Sequence, residues 1–581
     1  MSLGLQSFGA SPVSRWVAGF VWRLEHAFER ARASGRAEDD TRLRIFFVLA
    51  LFAASFATLG VGATRAALFS GLRGGDAYAP PVGAARADLV DRNGQLLAAD
   101  LLHYGLYLDP REIWDVAETR RLLASTLNVT PERLERALRS KRRIFLVGGL
   151  TPAQKARIHE FGLPGVSFEP EQRRVYPLGY TAAHVIGFSD SGGEGLSGAE
   201  AALNEDIRGA AAKHGTVPLS IDLRVQAALE DELYSAVSEF RPKGAVGLVT
   251  DVHTGEILGM ASYPTFDPNK AGQASDYART NRAAATVFEM GSTFKAFTVA
   301  IGLDSGVASP SSTFDAREPY KLGYRTIHDY HAARKILTLV EVFQHSSNIG
   351  TAKLAHGVGA ERMGKYFQAL GLTQPAKVEL IESARPLTPK KWDDDAVAST
   401  SFGHGMNVSP LALARAMGAI LNGGKLAPMT IRKQEPGYLP EGPRVMSEQT
   451  TLQMLSIMRA NVTGGSGKSA DVPGLSVGGK TGTGEKYDPA IRGYNHQRQV
   501  SSFAAVFPTD GPVDAKRYFV LILMDEPHGT AKTFGFSTGG WVAAPAAGRV
   551  IERIAPFLGV ERKEDAVQIA AAAPAVSEDG H

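Results

Sequence analysis

The strongest hydrophobic signal of the chain is residues 45–63, IFFVLALFAASFATLGVGA, predominantly apolar and without a charge. A run of that length is enough to cross a hydrocarbon layer as one helix. Upstream, Trp16, Val17, Phe20, Val21, Leu24 and Phe28 recur at helical spacing, with Arg15, Arg23 and Arg30 on the other side. This leader reads either as an amphipathic helix on a membrane face or against a partner helix, or as a disordered tail. After residue 64 the pattern changes. Gly71, Gly74, Gly75, Pro80 and Pro81 mark a linker over 64–83.

From Arg86 the apolar positions predict folded elements. Leu89 and Val90 followed by Asn93-Gly94 predict a strand entering a tight turn. Thr130-Pro131 and Thr151-Pro152-Ala153-Gln154 predict helix starts, the second with a capping box. Further on, Val246–Thr250 and Glu256–Ser262 read as strands joined by the turn residues Asp251 to Gly255. Helix signals then dominate, with an apolar run after Ser292 and a helix from Ser409-Pro410 to a stop at Gly423-Gly424. Strand character returns at Leu475–Thr483, Val500–Phe507 and Tyr518–Met524, and a last helix is predicted over Trp541–Leu558. From Gln568 the tail has no core pattern. The class this predicts is α+β, with helices inserted between an early hairpin and a late group of strands.

Charge gives the apolar run a direction. Arg42 and Arg44 precede it closely, more arginines lie upstream, and few basic residues follow. The positive-inside rule therefore puts the amino terminus in the cytoplasm and everything after residue 64 outside. A cleaved signal peptide would have a shorter leader and a shorter apolar core, so an uncleaved anchor is the reading adopted. The net charge of +3 gives no reason to expect a nucleic-acid partner. With no cysteine, disulfides, thiolate catalysis and cysteine-bound metal are excluded. His328 and His331 are the nearest approach to a metal pair, and a turn or packing role suits them better.

Ser292 and Lys295 stand at i and i+3 after Gly291, before the apolar run Phe297, Val299, Ala300, Ile301 and Leu303. On the first turn of a buried helix the two side chains would share a face, and burial would drive the amine towards the neutral form that can take a serine proton. Alone, such a pair is common. Two more groups follow in order, Ser346-Ser347-Asn348 and Lys480-Thr481-Gly482-Thr483, and this ordered trio is a known signature of penicillin-binding proteins and class A β-lactamases.

Together with the single apolar span and the segment from Arg86 to Glu200, the trio resembles the class B penicillin-binding proteins over roughly residues 45–558. The stretches GSTFKAFT, IHDYH, HSSNIG, SFGHGM, VSPLALARA and GGKTGTGEK are most similar to the division-specific members, for which Asn348 is usual where elongation-specific members have aspartate. The resemblance implies a cytoplasmic tail (1–44), a transmembrane helix (45–63), a linker (64–83), an elongated α+β pedestal of the dimerisation type (84–225), a transpeptidase domain (240–560) and a disordered tail (561–581). The last folded domain would be an antiparallel sheet of about five strands with helices on both sides.

The implied activity is a serine-type D-Ala-D-Ala transpeptidase that cross-links peptidoglycan stem peptides during septal wall synthesis in the inner membrane, with β-lactams as covalent inhibitors and no cofactor or metal. In it Ser292 would attack the donor carbonyl and Lys295 would be its base. Ser346 would relay a proton to the leaving amine, and Asn348 would hold Lys295 and the substrate amide. Lys480 would supply positive field and attract the substrate carboxylate, helped by Thr481 and Thr483. Gly482 would leave room for substrate to pair with the strand, and the backbone N–H groups of Ser292 and Thr483 would form the oxyanion hole. A polytopic glycosyltransferase of the FtsW type and other division proteins are the implied partners. Met290 and Ala296, where proline is expected, and His345, where lysine is common, depart from the usual pattern as core variation.

A bifunctional synthase would need an acidic EDxxFxxH signature before the transpeptidase, and residues 65–240 have none. A β-lactamase would lack the anchor and the preceding domain. An elongation-specific transpeptidase, a β-lactam sensor and an inactive division scaffold are the remaining alternatives.

Overall fold

The computed structural model describes residues 86–563 apart from 323, 324, 489 and 492, together with a few helical positions between Trp22 and Phe56. The chain divides into units at Pro81/Val82. In the first, Val48, Leu51, Phe52 and Phe56 are helical and expose apolar side chains. No helix is long and apolar enough to cross a membrane among the described residues. Most of the 45–63 span, the linker and the tail from Gln568 lie outside those residues.

The second unit opens with strands β1 (Asp88–Val90) and β2 (Leu96–Leu108) around the Asn93-Gly94 turn, where Asp91 accepts from the amides of Asn93 and Gln95 at 2.7 and 2.8 Å. Helices α1 (Val116–Thr126) and α2 (Pro131–Leu138), strand β3 (Ile144–Leu150), helix α3 (Pro152–His159) and strand β4 (Val166–Val175) build a small lobe on β2. The capping box at Thr151 and Gln154 is formed in both directions. Strand β5 (Thr216–Pro218) joins β1 in parallel.

Polar residues fix how this region closes on itself. Arg86 donates to Glu200 Oε2 at 2.8 Å, to the Glu200 carbonyl at 2.9 Å and to Asn204 at 2.6 Å, while Arg174 donates to Glu200 Oε1 at 2.7 Å. The Arg86 and Glu200 side chains are 1% and 0% exposed, so each charge depends on the other for compensation.

Helix α4 (Leu223–Phe240) leads into the central sheet, made of β6 (Gly244–Asp251), β7 (Ile257–Tyr263), β8 (Gly478–Asp488), β9 (Gly493–Phe507) and β10 (Tyr518–Asp525). Its order is β8-β9-β10-β6-β7, five strands with every neighbour antiparallel, as expected. Alternation explains the apolar runs. Val246, Leu248, Val506, Phe519 and Leu521 enter one core, and Ala245, Val249, Phe507, Val520 and Ile522 enter another. A strand buried on both faces must be apolar throughout.

Between β7 and β8 come α5 (Lys295–Asp304), α6 (Asn348–Val358), α7 (Pro410–Leu421) and α8 (Glu448–Gly464). Helix α5 is buried from Lys295 to Leu303 in the first core. Helix α9 (Gly539–Ile554) packs with α4 in the second. Several boundaries differ from the sequence reading, and the last helix ends at Ile554 rather than Leu558. Strand β8 begins at Gly478 rather than Leu475, because Ser476 takes a positive φ of 48° that interrupts extended backbone. Strands β8 and β9 run on as an arm beyond the sheet, since β10 pairs with β9 only from Val500 to Phe507.

Candidate active site

Gly291 allows a close approach of two backbone segments. Its φ is +53°, and a Cβ there would come within 2.4 Å of the Thr483 carbonyl oxygen and 2.8 Å of Gly484 N. The turn bearing Ser292 and the edge strand β8 therefore touch backbone to backbone. Ser292 sits in a 3-10 turn, Gly291–Phe294, and the α-helix starts only at Lys295. This differs from the expected first helical turn, and it follows from the tight turn Gly291 makes against β8. In a 3-10 turn positions i and i+3 eclipse, so Ser292 and Lys295 stay on one side.

Lys295 is 1% exposed and Lys480 0%. Lys295 Nζ donates to Asn348 Oδ1 at 2.7 Å, to Ser346 Oγ at 3.1 Å and to the Ser346 carbonyl at 2.5 Å. Lys480 Nζ donates to the same Ser346 Oγ at 3.0 Å. Ser346 Oγ thus lies within hydrogen-bond distance of both amines. Ser292 is half-buried; its carbonyl accepts from the Lys295 amide, and among the described residues no hydrogen bond joins its hydroxyl to the Lys295 amine. The structure thus brings Lys295, Ser346, Asn348 and Lys480 into one bonded group with Ser292 beside it.

Burial sets the electrostatics. It pulls Lys295 from its ordinary 10.5 to about 7, with the negative charge of Asp329 acting in the opposite sense. Lys480 is held well below its usual range, by burial first and by the charge of Lys295 second. Two amines on one oxygen in a dry site resist carrying two charges at once. Lys480 lies below the surface and acts on Ser346, so any pull on a ligand carboxylate is exerted through its field.

Ser346 has a φ of +55°, a conformation that costs a residue with a side chain about 1–2 kcal/mol. That strain at a candidate site residue was invisible in the sequence. Asp329 was also missed. Its Oδ2 accepts from Ser347 Oγ at 2.8 Å and its Oδ1 from the Ile349 amide at 2.9 Å. Asn348 Nδ2 donates to the His328 carbonyl at 3.0 Å, which turns Oδ1 towards Lys295. The one signal was an acidic residue inside IHDYH, and His328 takes part through its backbone.

Along β8, Lys480 and Gly482 face the nucleophile turn, and Thr481 and Thr483 face the start of α9. Thr481 Oγ1 pairs with Ser466 Oγ at 2.8 Å, and Gly539 N donates to Thr483 Oγ1 at 3.2 Å. A Cβ on Gly482 would meet Met290 O at 2.7 Å and Thr293 Cγ2 at 2.8 Å. Glycine is needed there to seat the nucleophile turn, a reason beyond room for a ligand backbone. Met290 and Ala296 are buried in the main core, while His345 caps a short helix end. The arrangement can deprotonate a serine, stabilise charge next to it and return a proton to a leaving group on the Ser346 side.

Comparison with known families matches residues 245–552 to the penicillin binding protein transpeptidase domain and residues 81–214 to the penicillin-binding protein dimerisation domain. A probable peptidoglycan D,D-transpeptidase FtsI of Caulobacter vibrioides is 69% identical over 96% of this chain and 96% of its own length. The peptidoglycan D,D-transpeptidase FtsI of Escherichia coli K12 is 30% identical over 83% of this chain and 85% of its own. Among solved structures, penicillin binding protein 3 of Mycobacterium tuberculosis in complex with aztreonam is similar with a TM-score of 0.65 and 26% identity, covering 83% of this chain and 97% of that one.

Proposed function

The chain belongs to the penicillin-binding proteins, with a transpeptidase domain behind a dimerisation domain, and from that premise we propose that it is the peptidoglycan D,D-transpeptidase of cell division. The observation that carries this is the hydrogen-bonded group of Lys295, Ser346, Asn348 and Lys480 beside Ser292, with both lysines buried.

In the proposed reaction the neutral Lys295 amine takes the proton of Ser292 as Oγ adds to the carbonyl between the two terminal D-alanines of a stem peptide. The backbone N–H groups of Ser292 and Thr483, brought close by Gly291, receive the developing oxyanion. The C–N bond then breaks, and Ser346 hands the leaving amine its proton, which Lys295 replaces with the one taken from Ser292 while Lys480 stays bonded to Ser346 Oγ. D-Alanine departs and an ester to Ser292 remains. An amine of a neighbouring strand attacks that ester, loses its proton by the same route in reverse, and forms the cross-link. Asn348 keeps Lys295 in place, and Thr481, Gly482 and Thr483 present the strand edge to the donor peptide.

The same proposal includes the anchor at 45–63 with the amino terminus in the cytoplasm, the linker 64–83, the pedestal 84–225, the transpeptidase domain 240–560 and the tail 561–581. It places the catalytic domain outside the inner membrane at the septum, beside an FtsW-type glycosyltransferase. The apolar, uncharged span and the arginines before it support the anchor. The similarity to proteins named FtsI supports the division role.

The test is to incubate the full chain in detergent with a fluorescent penicillin, compare it with Ser292→Ala, and locate the label by mass spectrometry. A stable adduct on Ser292, absent from the variant, is the expected result. No adduct on folded protein would overturn the active-site reading, and rapid drug turnover would identify a β-lactamase.

A further inference from the structure

Three segments meet on one carboxylate that the proposed reaction does not use. Glu289, three positions before Ser292, accepts through Oε1 from the Gly405 amide at 2.9 Å and from the Tyr494 hydroxyl at 3.0 Å. Gly405 lies in the loop after Phe402, and Tyr494 lies on the β8–β9 arm. The same segments are tied by backbone: Phe288 and Val408 exchange hydrogen bonds at 2.9 and 3.1 Å, and Gly291 N reaches Gly403 O at 3.3 Å. The Tyr494 ring meets His404 edge to face, with centroids 5.5 Å apart. Burial pulls His404 down to about 4 and so keeps its ring neutral, with Glu485 acting against that and the charge of Lys295 adding to it.

A carboxylate is a costly choice for packing alone. Burial raises the proton affinity of Glu289, the bonds from Gly405 and Tyr494 work against that rise, and Oε2 is buried without a partner among the described residues. An apolar side chain would fill such a gap at lower cost. What the carboxylate adds is direction. One oxygen pins the arm and the 402–406 loop to the stem of the Ser292 turn, and among the described residues the arm has no third strand beside it where Tyr494 lies.

From this geometry we propose that Glu289 is a positioning residue for acylation: by holding Tyr494 and Gly405 it fixes the turn carrying Ser292 against β8. It does not touch the reacting atoms. The inference rests on the reading of Ser292 as the acylated nucleophile and adds a determinant of how fast that serine reacts.

The experiment uses the full chain in detergent and a fluorescent penicillin, with the acylation rate constant separated from the preceding binding constant by varying drug concentration. Active sites are titrated and melting temperatures measured for each variant. Glu289→Ala is expected to lower the acylation rate constant about tenfold, within the range by which sub-ångström misplacement slows positioned reactions. Glu289→Gln, which keeps an acceptor at Oε1, is expected to stay within about twofold of wild type. Tyr494→Phe should fall between them, and the double variant Glu289→Ala/Tyr494→Phe should be no slower than Glu289→Ala, since both act through one contact. An unchanged rate constant in Glu289→Ala overturns the proposal. So does a loss explained wholly by fewer titratable sites and a lower melting temperature, which is the signature of a purely structural role. Failure of the wild type to form an adduct on Ser292 would strike the underlying reading instead.

Discussion

Replacing Gly291 by alanine tests how the nucleophile is seated. The added Cβ would stand 2.4 Å from the Thr483 carbonyl oxygen, 2.6 Å from its carbon and 2.8 Å from Gly484 N, where ordinary contact begins at 3.4 Å. All three atoms are backbone in the edge strand, so no side chain can rotate away. Relief requires a separation of about 1 Å (3.4 less 2.4) between the turn and β8. The alanine must also hold a φ of +53°, which adds about 1–2 kcal/mol of strain. A displacement of about 1 Å in a positioned reaction costs about a hundredfold in rate, or about 2.7 kcal/mol of barrier. The expected outcome is therefore a fall of about that size in the second-order rate of acylation by fluorescent penicillin, with a modest drop in melting temperature. Stopped-flow mixing measures the first and calorimetry the second. A Gly291→Ala protein that acylates within about threefold of wild type would refute the claim that turn and strand must touch for attack.

Further predictions concern charge. Because Lys295 is held near 7 and only its neutral form accepts the serine proton, acylation should rise tenfold per unit with pH below about 7 and level off above it, as a pH–rate profile will report. Asp329→Asn removes the anion that favours the Lys295 ammonium, so the acid limb should move to lower pH while the plateau falls through looser support of Ser347 and Ile349. Glu200→Ala leaves the Arg86 guanidinium buried without its counter-charge and Arg174 with Asp100 alone, and denaturant unfolding should show a loss of about 3–5 kcal/mol while folded protein still acylates.

The residues most legible in the sequence were those whose chemistry needs particular types at short spacing. Ser292 with Lys295, Ser346 with Asn348, and Lys480 to Thr483 could each be read as local groups, and the Thr151–Gln154 cap forms from its own four residues. Strands buried on both faces were legible as apolar runs. What chain order does not carry is distance in space. Lys295 and Ser346 are separated by 51 positions, and Lys480 and Ser346 by 134, yet they share one hydroxyl. Asp329 and Glu289 went unseen because a carboxylate that orients backbone amides has no companion at fixed spacing. The β8–β9 arm was missed because it leaves the core and so has no need of apolar alternation.

Ser346 has to satisfy two demands that no other side chain meets together. Its backbone lies at a positive φ, which glycine, asparagine and aspartate tolerate best, and its Oγ stands between two amines, which calls for a hydroxyl. Glycine would ease the backbone and remove the hydroxyl, whereas threonine would keep the hydroxyl on a branched Cβ that this conformation resists. In mutational terms the position has no neutral neighbour, so drift under antibiotic selection is channelled to residues around it. Changes at Asp329, Glu289 or Tyr494, which shape the site without performing its chemistry, are expected to slow acylation and not to abolish it.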